Sequence, residues 1–251
     1  MRRVVTLGAI AVAMCIFGAV KASSHGATRP GGCAATCDVA GHRVAMNGSM
    51  AMPQMGSDSS DMPMGPHMKL TALRSPQAGD RARANAVVAA VRVTLSKYGD
   101  YRVAQADGYK LFMGNVVQPR YHFTNWVNAL AAERTFDPTR PTSLLYEKSG
   151  GTYRLVGAMY TAPKGSTPDE LDARIPLSIA RWHEHVDFCW GPPGTDKSKY
   201  VGPEAQFGFL GSIATQAACA AAAGRFQPVL FNWMVHVYPF ETDPSKVWRV
   251  E

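Results

Sequence analysis

The spacing of apolar residues along the second part of the chain distinguishes helical from strand-like segments. In the stretch 80–98, valine and leucine recur at positions 87, 88, 91 and 95, which places them on one face of a helix. Gly79 and Asp80 provide a start for this helix, and Gly99 provides a stop. Two further short helices are predicted, at 104–109 and in the Ala-rich stretch 215–223.

Most other apolar segments are rich in aromatic and β-branched residues and predict strands. Segments 143–147 and 153–161 flank the turn sequence Lys-Ser-Gly-Gly-Thr, a pattern typical of a β-hairpin. Segments 181–190 and 229–240 predict two more strands. Runs of strands with helices at their margins favour an α+β fold, with a mainly antiparallel sheet and flanking helices.

The first 79 residues differ from this pattern in two ways. Residues 1–22 combine an arginine pair, an apolar run and small residues at the end, which is the layout of a secretory signal peptide. A membrane anchor is the alternative, but the apolar run is short for one. Residues 23–79 are rich in Gly, Ser, Pro, Met and Ala, which predicts a disordered arm. The globular domain is expected at 80–251.

Charge and motifs exclude several functions. The formal net charge is +7 at pH 7, and removal of the signal peptide would take away three basic residues. The chain has no dense run of Lys and Arg, so nucleic-acid binding is not indicated. It also lacks a Gly-x-Ser-x-Gly elbow, a glycine-rich phosphate loop and a His-Glu-x-x-His motif.

Cysteine usage fits export to an oxidising compartment. One of the five cysteines falls in the signal peptide, and four remain: Cys33, Cys37, Cys189 and Cys219. An even number suggests disulfides. Three pairings are possible, and we favour Cys189 with Cys219 because both lie in the apolar C-terminal half. Cys189 as a metal thiolate is an alternative, and the other two cysteines would form a thiolate pair or a local disulfide.

Histidine placement is the strongest chemical signal in the predicted domain. His183 and His185 are two apart in a predicted strand, so both side chains project from the same face. This spacing can chelate one Zn or Cu ion. By the same alternation, Asp187 shares their face and Glu184 lies on the other. His236 lies in a second apolar strand, and three imidazoles would converge if the two strands were neighbours.

A fourth histidine, His122, lies in an aromatic segment and would serve as a further ligand or support one. The alternative for all four histidines is a structural one, because a histidine in an apolar strand commonly makes a core hydrogen bond. Their common occurrence in strand-like or aromatic surroundings favours a shared metal site.

The predicted arm carries a second candidate metal site. Its sequence holds seven of the 12 methionines of the chain. Thioether sulfur is a soft ligand that favours Cu(I), so this segment predicts copper capture, although low-complexity drift would give a similar composition. The candidate ligands are Met46, Met50, Met52, Met55, Met62, Met64, His67 and Met68.

Several sequence blocks between residues 100 and 240 together resemble an uncharacterised family of exported bacterial proteins. The resemblance rests on Tyr-His-Phe-Thr-Asn at 121–125, Leu-Leu-Tyr-Glu at 144–147, Trp-His-Glu-His-Val at 182–186 and Trp-Met-Val-His-Val at 233–237, with further blocks at 136–141 and 155–160. It implies export and a compact domain with a histidine cluster, and it names no reaction.

The sequence therefore predicts a periplasmic or secreted copper-binding protein, with zinc as an alternative metal in the domain. Its function would be copper tolerance or delivery, and its partner a metal ion. One alternative is a mononuclear metalloenzyme, a hydrolase or oxygenase with histidine ligands and an open coordination position. A second alternative is a non-catalytic interaction module of the cell envelope.

Overall fold

The protein has an α+β fold, described by a computed structural model over residues 65–250. In this part of the chain, one antiparallel sheet of eight strands is flanked by five helices. The elements in chain order are β1 (Met68–Leu70), α1 (Asp80–Leu95), α2 (Tyr101–Ala106), β2 (Lys110–Leu111), β3 (Tyr121–Thr124), α3 (Trp126–Ala132), β4 (Ser143–Ser149), β5 (Thr152–Ala162), α4 (Pro168–Arg174), β6 (His183–Trp190), α5 (Gln216–Ala221), β7 (Arg225–Val229) and β8 (Trp233–Val237).

The strand order is β1-β6-β8-β5-β4-β3-β2, and β7 pairs with the far half of β6. The last strand of the sequence, β8, thus lies between β6 and β5 in the middle of the sheet. Its contact with β6 is short and centres on the pair His183 and Met234. The two histidine-bearing strands are therefore neighbours, which is the condition that convergence of their imidazoles required.

One face of the sheet packs against helices and forms the main hydrophobic core. Helix α1 turns Val87, Val91 and Leu95 into this core, as its apolar spacing predicts. The sheet contributes alternate residues such as Phe123 and Leu144, because side chains two apart in a strand share a face. The histidines lie on the opposite face.

Several sequence predictions are confirmed with small shifts of their ends. Helix α1 begins at Asp80, directly after Gly79 with its positive φ of 88°. Strands β4 and β5 form the predicted hairpin, and α5 occupies the predicted Ala-rich helix. The predicted strand at 229–240 is shorter than expected, because Val229 ends β7 and β8 begins at Trp233.

The predicted extent of the disordered arm is wrong at its C-terminal end. Residues 68–70 form β1, which pairs with β6 so that Met68 lies opposite His185 and Leu70 opposite His183. The preceding His67 is almost fully buried. The low content of β-branched residues concealed this strand, since its stability comes from pairing with a distant segment rather than from local propensity.

Cys189 and Cys219 form a disulfide, with a Cα–Cα distance of 5.7 Å and a separation of 30 residues in sequence. The favoured pairing is confirmed, and Cys189 is therefore not a metal thiolate. Gly224 lies against this bridge, where a Cβ atom would stand 2.6 Å from the Cys189 sulfur and 2.9 Å from that of Cys219. The bridge closes the segment that covers part of the histidine face.

Candidate metal centre

The register of the sheet brings the four domain histidines onto one face. In β6, His183 and His185 alternate with Glu184, and in β8 His236 lies two residues after Met234. Across the strands, His183 pairs with Met234, and His236 pairs with Met159 of β5. Directly opposed residues in antiparallel strands have neighbouring side chains on the same face.

The histidines form a chain of neighbouring rings. The Nε2 atoms of His122 and His236 are 3.5 Å apart. The ring centroid of His183 lies 5.0 Å from that of His236 and 5.7 Å from that of His185. Side chains that are separated by as many as 114 positions in sequence are thus brought together by strand pairing.

These distances can be compared with those of imidazoles that share a metal ion. With metal–nitrogen bonds of about 2.0–2.1 Å and bond angles of about 109–120°, the two nitrogens are about 3.3–3.6 Å apart. The 3.5 Å between the Nε2 atoms of His122 and His236 falls in this range. Ring centroids in such a site are about 5.2–5.7 Å apart, close to the 5.0–5.7 Å of the three neighbouring pairs.

A complete coordination set of three such ligands is nevertheless not formed. Within residues 65–250, no group of three or more His, Cys, Asp or Glu side chains is arranged to hold a metal ion. Binding by more than the His122–His236 pair would therefore need rotation of His183 or His185, or ligands of another chemical type.

Burial keeps the histidines in the neutral form that metal ions bind. Loss of solvation lowers the pKa of His122 and His185 to about 4 and that of His183 to about 3. The pKa of His236 is also lowered well below its usual range, by burial first and then by the other three imidazoles. A hydrogen bond to the Arg120 carbonyl partly offsets the effect at His122.

The hydrogen bonds of the rings leave lone pairs available. His122 Nδ1 lies 3.1 Å from the Arg120 carbonyl oxygen; donation there places the lone pair on Nε2, toward His236. The Nδ1 atoms of His183 and His236 are buried and have no hydrogen-bond partner. Buried polar atoms are normally paired, so these two nitrogens are unusual.

Aromatic side chains from loops cover this side of the sheet. The ring of His185 lies 5.0 Å from that of Phe209 and 5.9 Å from that of Phe231. Phe231 in turn contacts Phe112 in the loop before β3.

A Cβ atom at Gly157 in β5 would clash with the Val237 carbonyl and the Tyr238 ring, so glycine is required where β5 packs against the end of β8.

The prediction that His67 is a metal ligand is wrong for this structure. Its Nε2 lies 2.7 Å from the Gly211 carbonyl oxygen and its Nδ1 lies 3.2 Å from that of Val186. Both ring nitrogens are thus directed at backbone carbonyls. His67 joins the start of the described chain to β6 and to the covering loop. Met68 is on the histidine face, while the other candidate methionines, at positions 46 to 64, lie outside the described residues.

The acidic neighbours of the histidines take no part in the cluster. Glu184 lies on the other face, as predicted, where it forms an ion pair of 3.4 Å with Lys69. Asp187 has a positive φ of 53°, which interrupts the alternation of β6. No hydrogen bond or ion pair joins Asp187 to a histidine in the described structure.

Two methionines in the cluster were not predicted as ligands. Met159 and Met234 are buried and pack together with Leu145 and Tyr238. Alternation in the sequence places Met234 beside His236, but it gives no indication of Met159, whose position depends on the β5–β8 pairing.

Two surface cavities, of about 690 and 350 Å³, are lined by none of the four histidines.

Comparisons with protein-family models, with curated proteins and with solved structures found no match to this chain. The resemblance to a family of exported proteins therefore stays a prediction. Across residues 65–250, no helix has the length and apolar character needed to cross a membrane.

Proposed function

We propose that this protein is an exported copper-binding protein that acts in copper tolerance or delivery. The observation that carries the proposal is the convergence of His122, His183, His185 and His236 on one buried face of the sheet. Neutral imidazoles are the nitrogen ligands that copper and zinc prefer in proteins. A secretory signal at residues 1–22 would take the protein to the periplasm or out of the cell.

The unpaired ring nitrogens are the main support for a ligand. Leaving a buried polar atom without a partner costs about 1–3 kcal/mol, and the Nδ1 atoms of both His183 and His236 are in this state. A purely structural role for these histidines would be served better by a hydrogen bond, such as the one that His67 donates to the Gly211 carbonyl oxygen. A metal ion at Nδ1 of His183 or His236 would use a lone pair that the fold leaves idle. This is a different position from the one between the Nε2 atoms of His122 and His236, because a neutral imidazole has a single lone pair.

Two features favour copper over zinc. The stretch from Met46 to Met68 is rich in thioethers, which are soft ligands suited to Cu(I). In addition, the carboxylate of Glu184, between the two histidines of β6, lies on the opposite face, where it pairs with Lys69. Burial beneath Phe209 and Phe231 favours holding or passing on an ion over turning over a substrate. Zinc remains the competing ion for the domain site, and the experiment below compares the two.

The test is a metal titration of protein that is purified without a histidine tag and stripped of metal. Cu(I), Cu(II) and Zn(II) are added separately, and stoichiometry and affinity are measured by competition with a chelator of known affinity. We expect His183→Ala and His236→Ala each to weaken binding of one copper ion by about 100-fold or more, since each removes one imidazole from the cluster.

The matched control is Glu184→Gln, which alters the residue beside His183 on the other face of the same strand. It should bind copper like the wild type, and circular dichroism should show all three variants folded. Unchanged copper and zinc binding by both histidine variants would refute the proposal. Equal losses in the histidine variants and in Glu184→Gln would also count against it, because they would reflect damage to β6.

A further inference from the structure

Methionines lie opposite the histidines in the sheet. Four methionines occur between residues 65 and 250, and three of them are direct cross-strand partners of a histidine. Met68 pairs with His185, Met234 with His183, and Met159 with His236. The exception is Met113, which lies in the loop before β3. The fourth histidine, His122, has Leu145 as its partner in β4.

We infer that Met159 and Met234 are thioether ligands of the domain site, which makes it a mixed nitrogen and sulfur site selective for Cu(I). This inference rests on the proposed copper function and identifies the oxidation state of the ion. Met159 and Met234 belong to one buried cluster, together with Leu145 and Tyr238. Met159 is the cross-strand partner of His236, and Met234 is that of His183. The Nδ1 atoms of both histidines are unpaired.

A mixed set of nitrogen and sulfur ligands explains why the imidazoles alone do not form a complete metal site. No three histidine, cysteine or carboxylate side chains in residues 65–250 are arranged around one point, which disfavours a site built from imidazoles alone. Cu(I) accepts soft thioether sulfur together with imidazole, whereas Zn(II) sites use nitrogen, oxygen and thiolate ligands. Two imidazoles and two thioethers from β5, β6 and β8 therefore suit Cu(I) better than Zn(II).

Apolar packing is the competing explanation for these two methionines. Leucine fills a similar volume, and exchange of Leu for Met is among the best tolerated core substitutions. Packing alone does not require sulfur beside His183 and His236, since Leu145 occupies the equivalent place beside His122. The exchange of Met for Leu therefore removes sulfur while it keeps the volume, and this separates the two explanations.

The experiment compares wild type with the double variant Met159→Leu/Met234→Leu in the full chain. Cu(I) affinity is measured without oxygen by competition with a chromophoric Cu(I) chelator, and Zn(II) affinity is measured in parallel. We expect the double variant to bind Cu(I) at the domain site about 100-fold more weakly, and Zn(II) within about threefold of wild type. Met113→Leu, which removes the methionine that is not a cross-strand partner of a histidine, should change neither affinity.

The outcomes separate failure of this inference from failure of the proposed function. If the double variant binds Cu(I) like the wild type while His236→Ala does not, the methionines only pack, and the inference is wrong. If His183→Ala and His236→Ala also bind like the wild type, the proposed function itself is wrong. Should the double variant not fold, the single variants replace it, each with an expected loss of about tenfold; wild-type affinity in both would overturn the inference.

Discussion

The two faces of the sheet treat buried polar groups differently. On the helix-covered face, the hydroxyls of Tyr146 and Tyr160 donate hydrogen bonds to backbone carbonyls, at 2.8 and 2.6 Å. On the loop-covered face, His183 and His236 keep an unpaired Nδ1. Trp182 and Glu184 depart from this division, since the indole Nε1 and the Oε1 atom of Glu184 are buried and also lack a partner. The second face thus leaves two imidazole nitrogens unpaired, at a cost in stability.

The largest expected loss of stability comes from a substitution on the helix-covered face. Phe123 is almost fully buried and packs against Tyr146 and Tyr153. We expect Phe123→Ala to lower the free energy of unfolding by about 3–5 kcal/mol, because it removes buried apolar area and leaves a cavity. Urea denaturation measures this loss. Val127→Ala, at an exposed position shortly after it, should change stability by less than about 0.5 kcal/mol.

Removal of the Cys189–Cys219 disulfide measures how much this bridge stabilises the loop-covered face. The segment between Cys189 and Cys219 carries Phe209, which packs on His185, and Gly211, which accepts a hydrogen bond from His67. Replacing both cysteines with serine should cost about 3–4 kcal/mol, since a loop of this length gains that much freedom in the unfolded chain. Urea denaturation checks this value, and chemical reduction of the wild type should give a similar loss. A loss below about 1 kcal/mol would contradict it.

A polar cluster on the helix side gives a test by pH. Arg74 binds the carboxylate of Asp80 through two hydrogen bonds, of 2.6 and 2.8 Å, and also binds Asp172. These contacts hold the pKa of Asp80 well below its usual range, chiefly through the hydrogen bond from Arg74 and then through that from Ser178. Because the folded pKa is depressed, the ionised carboxylate stabilises the fold above the unfolded pKa of 3.8.

The variant Asp80→Asn should therefore have a lower Tm than the wild type at pH 7. The difference in Tm between the two proteins should stay constant down to about pH 5 and shrink as the pH falls below about 4. Thermal unfolding followed by circular dichroism at a series of pH values measures it. A difference that does not depend on pH would show that Asp80 acts through packing rather than through its charge.

The smallest expected changes in the free energy of unfolding come from one substitution on each face, and they have opposite signs. Tyr146→Phe removes a satisfied buried hydrogen bond and should cost about 1 kcal/mol. His236→Leu removes the unpaired Nδ1 at similar volume, together with the long 3.5 Å contact between its Nε2 and His122. In metal-free protein it should therefore raise the free energy of unfolding by up to about 1 kcal/mol. Chemical denaturation in the presence of a metal chelator measures both. A loss of stability in His236→Leu would mean that the imidazole is part of the structural core.

The sequence was informative where a local pattern decides the structure. Helix α1 follows from the spacing of its valines and Leu95, and the β4–β5 hairpin follows from the turn around Gly150 and Gly151. The pairing of Cys189 with Cys219 followed from their location in the apolar half. In each case the residues that determine the element are close together in sequence or alike in surroundings.

The assembly of the candidate site was only partly accessible from the sequence. Alternation within β6 and β8 predicted which histidines share a face, but the partners across the strands depend on strand order. Met159 could not be placed beside His236 without knowing that β5 pairs with β8. His67 was misassigned because it lies next to a methionine-rich stretch, whereas its actual partners, Val186 and Gly211, are more than 100 residues away.

The position of β8 has a consequence for the order in which the molecule matures. This strand, Trp233–Val237, comes last among the strands in sequence yet separates β6 from β5 in the sheet. While the chain emerges from a ribosome, strand pairing through β8 cannot link these two neighbours until residue 237 has been added. Metal capture at His183 and His236 would thus be confined to chains that have finished threading, and truncated products would be unable to sequester the ion.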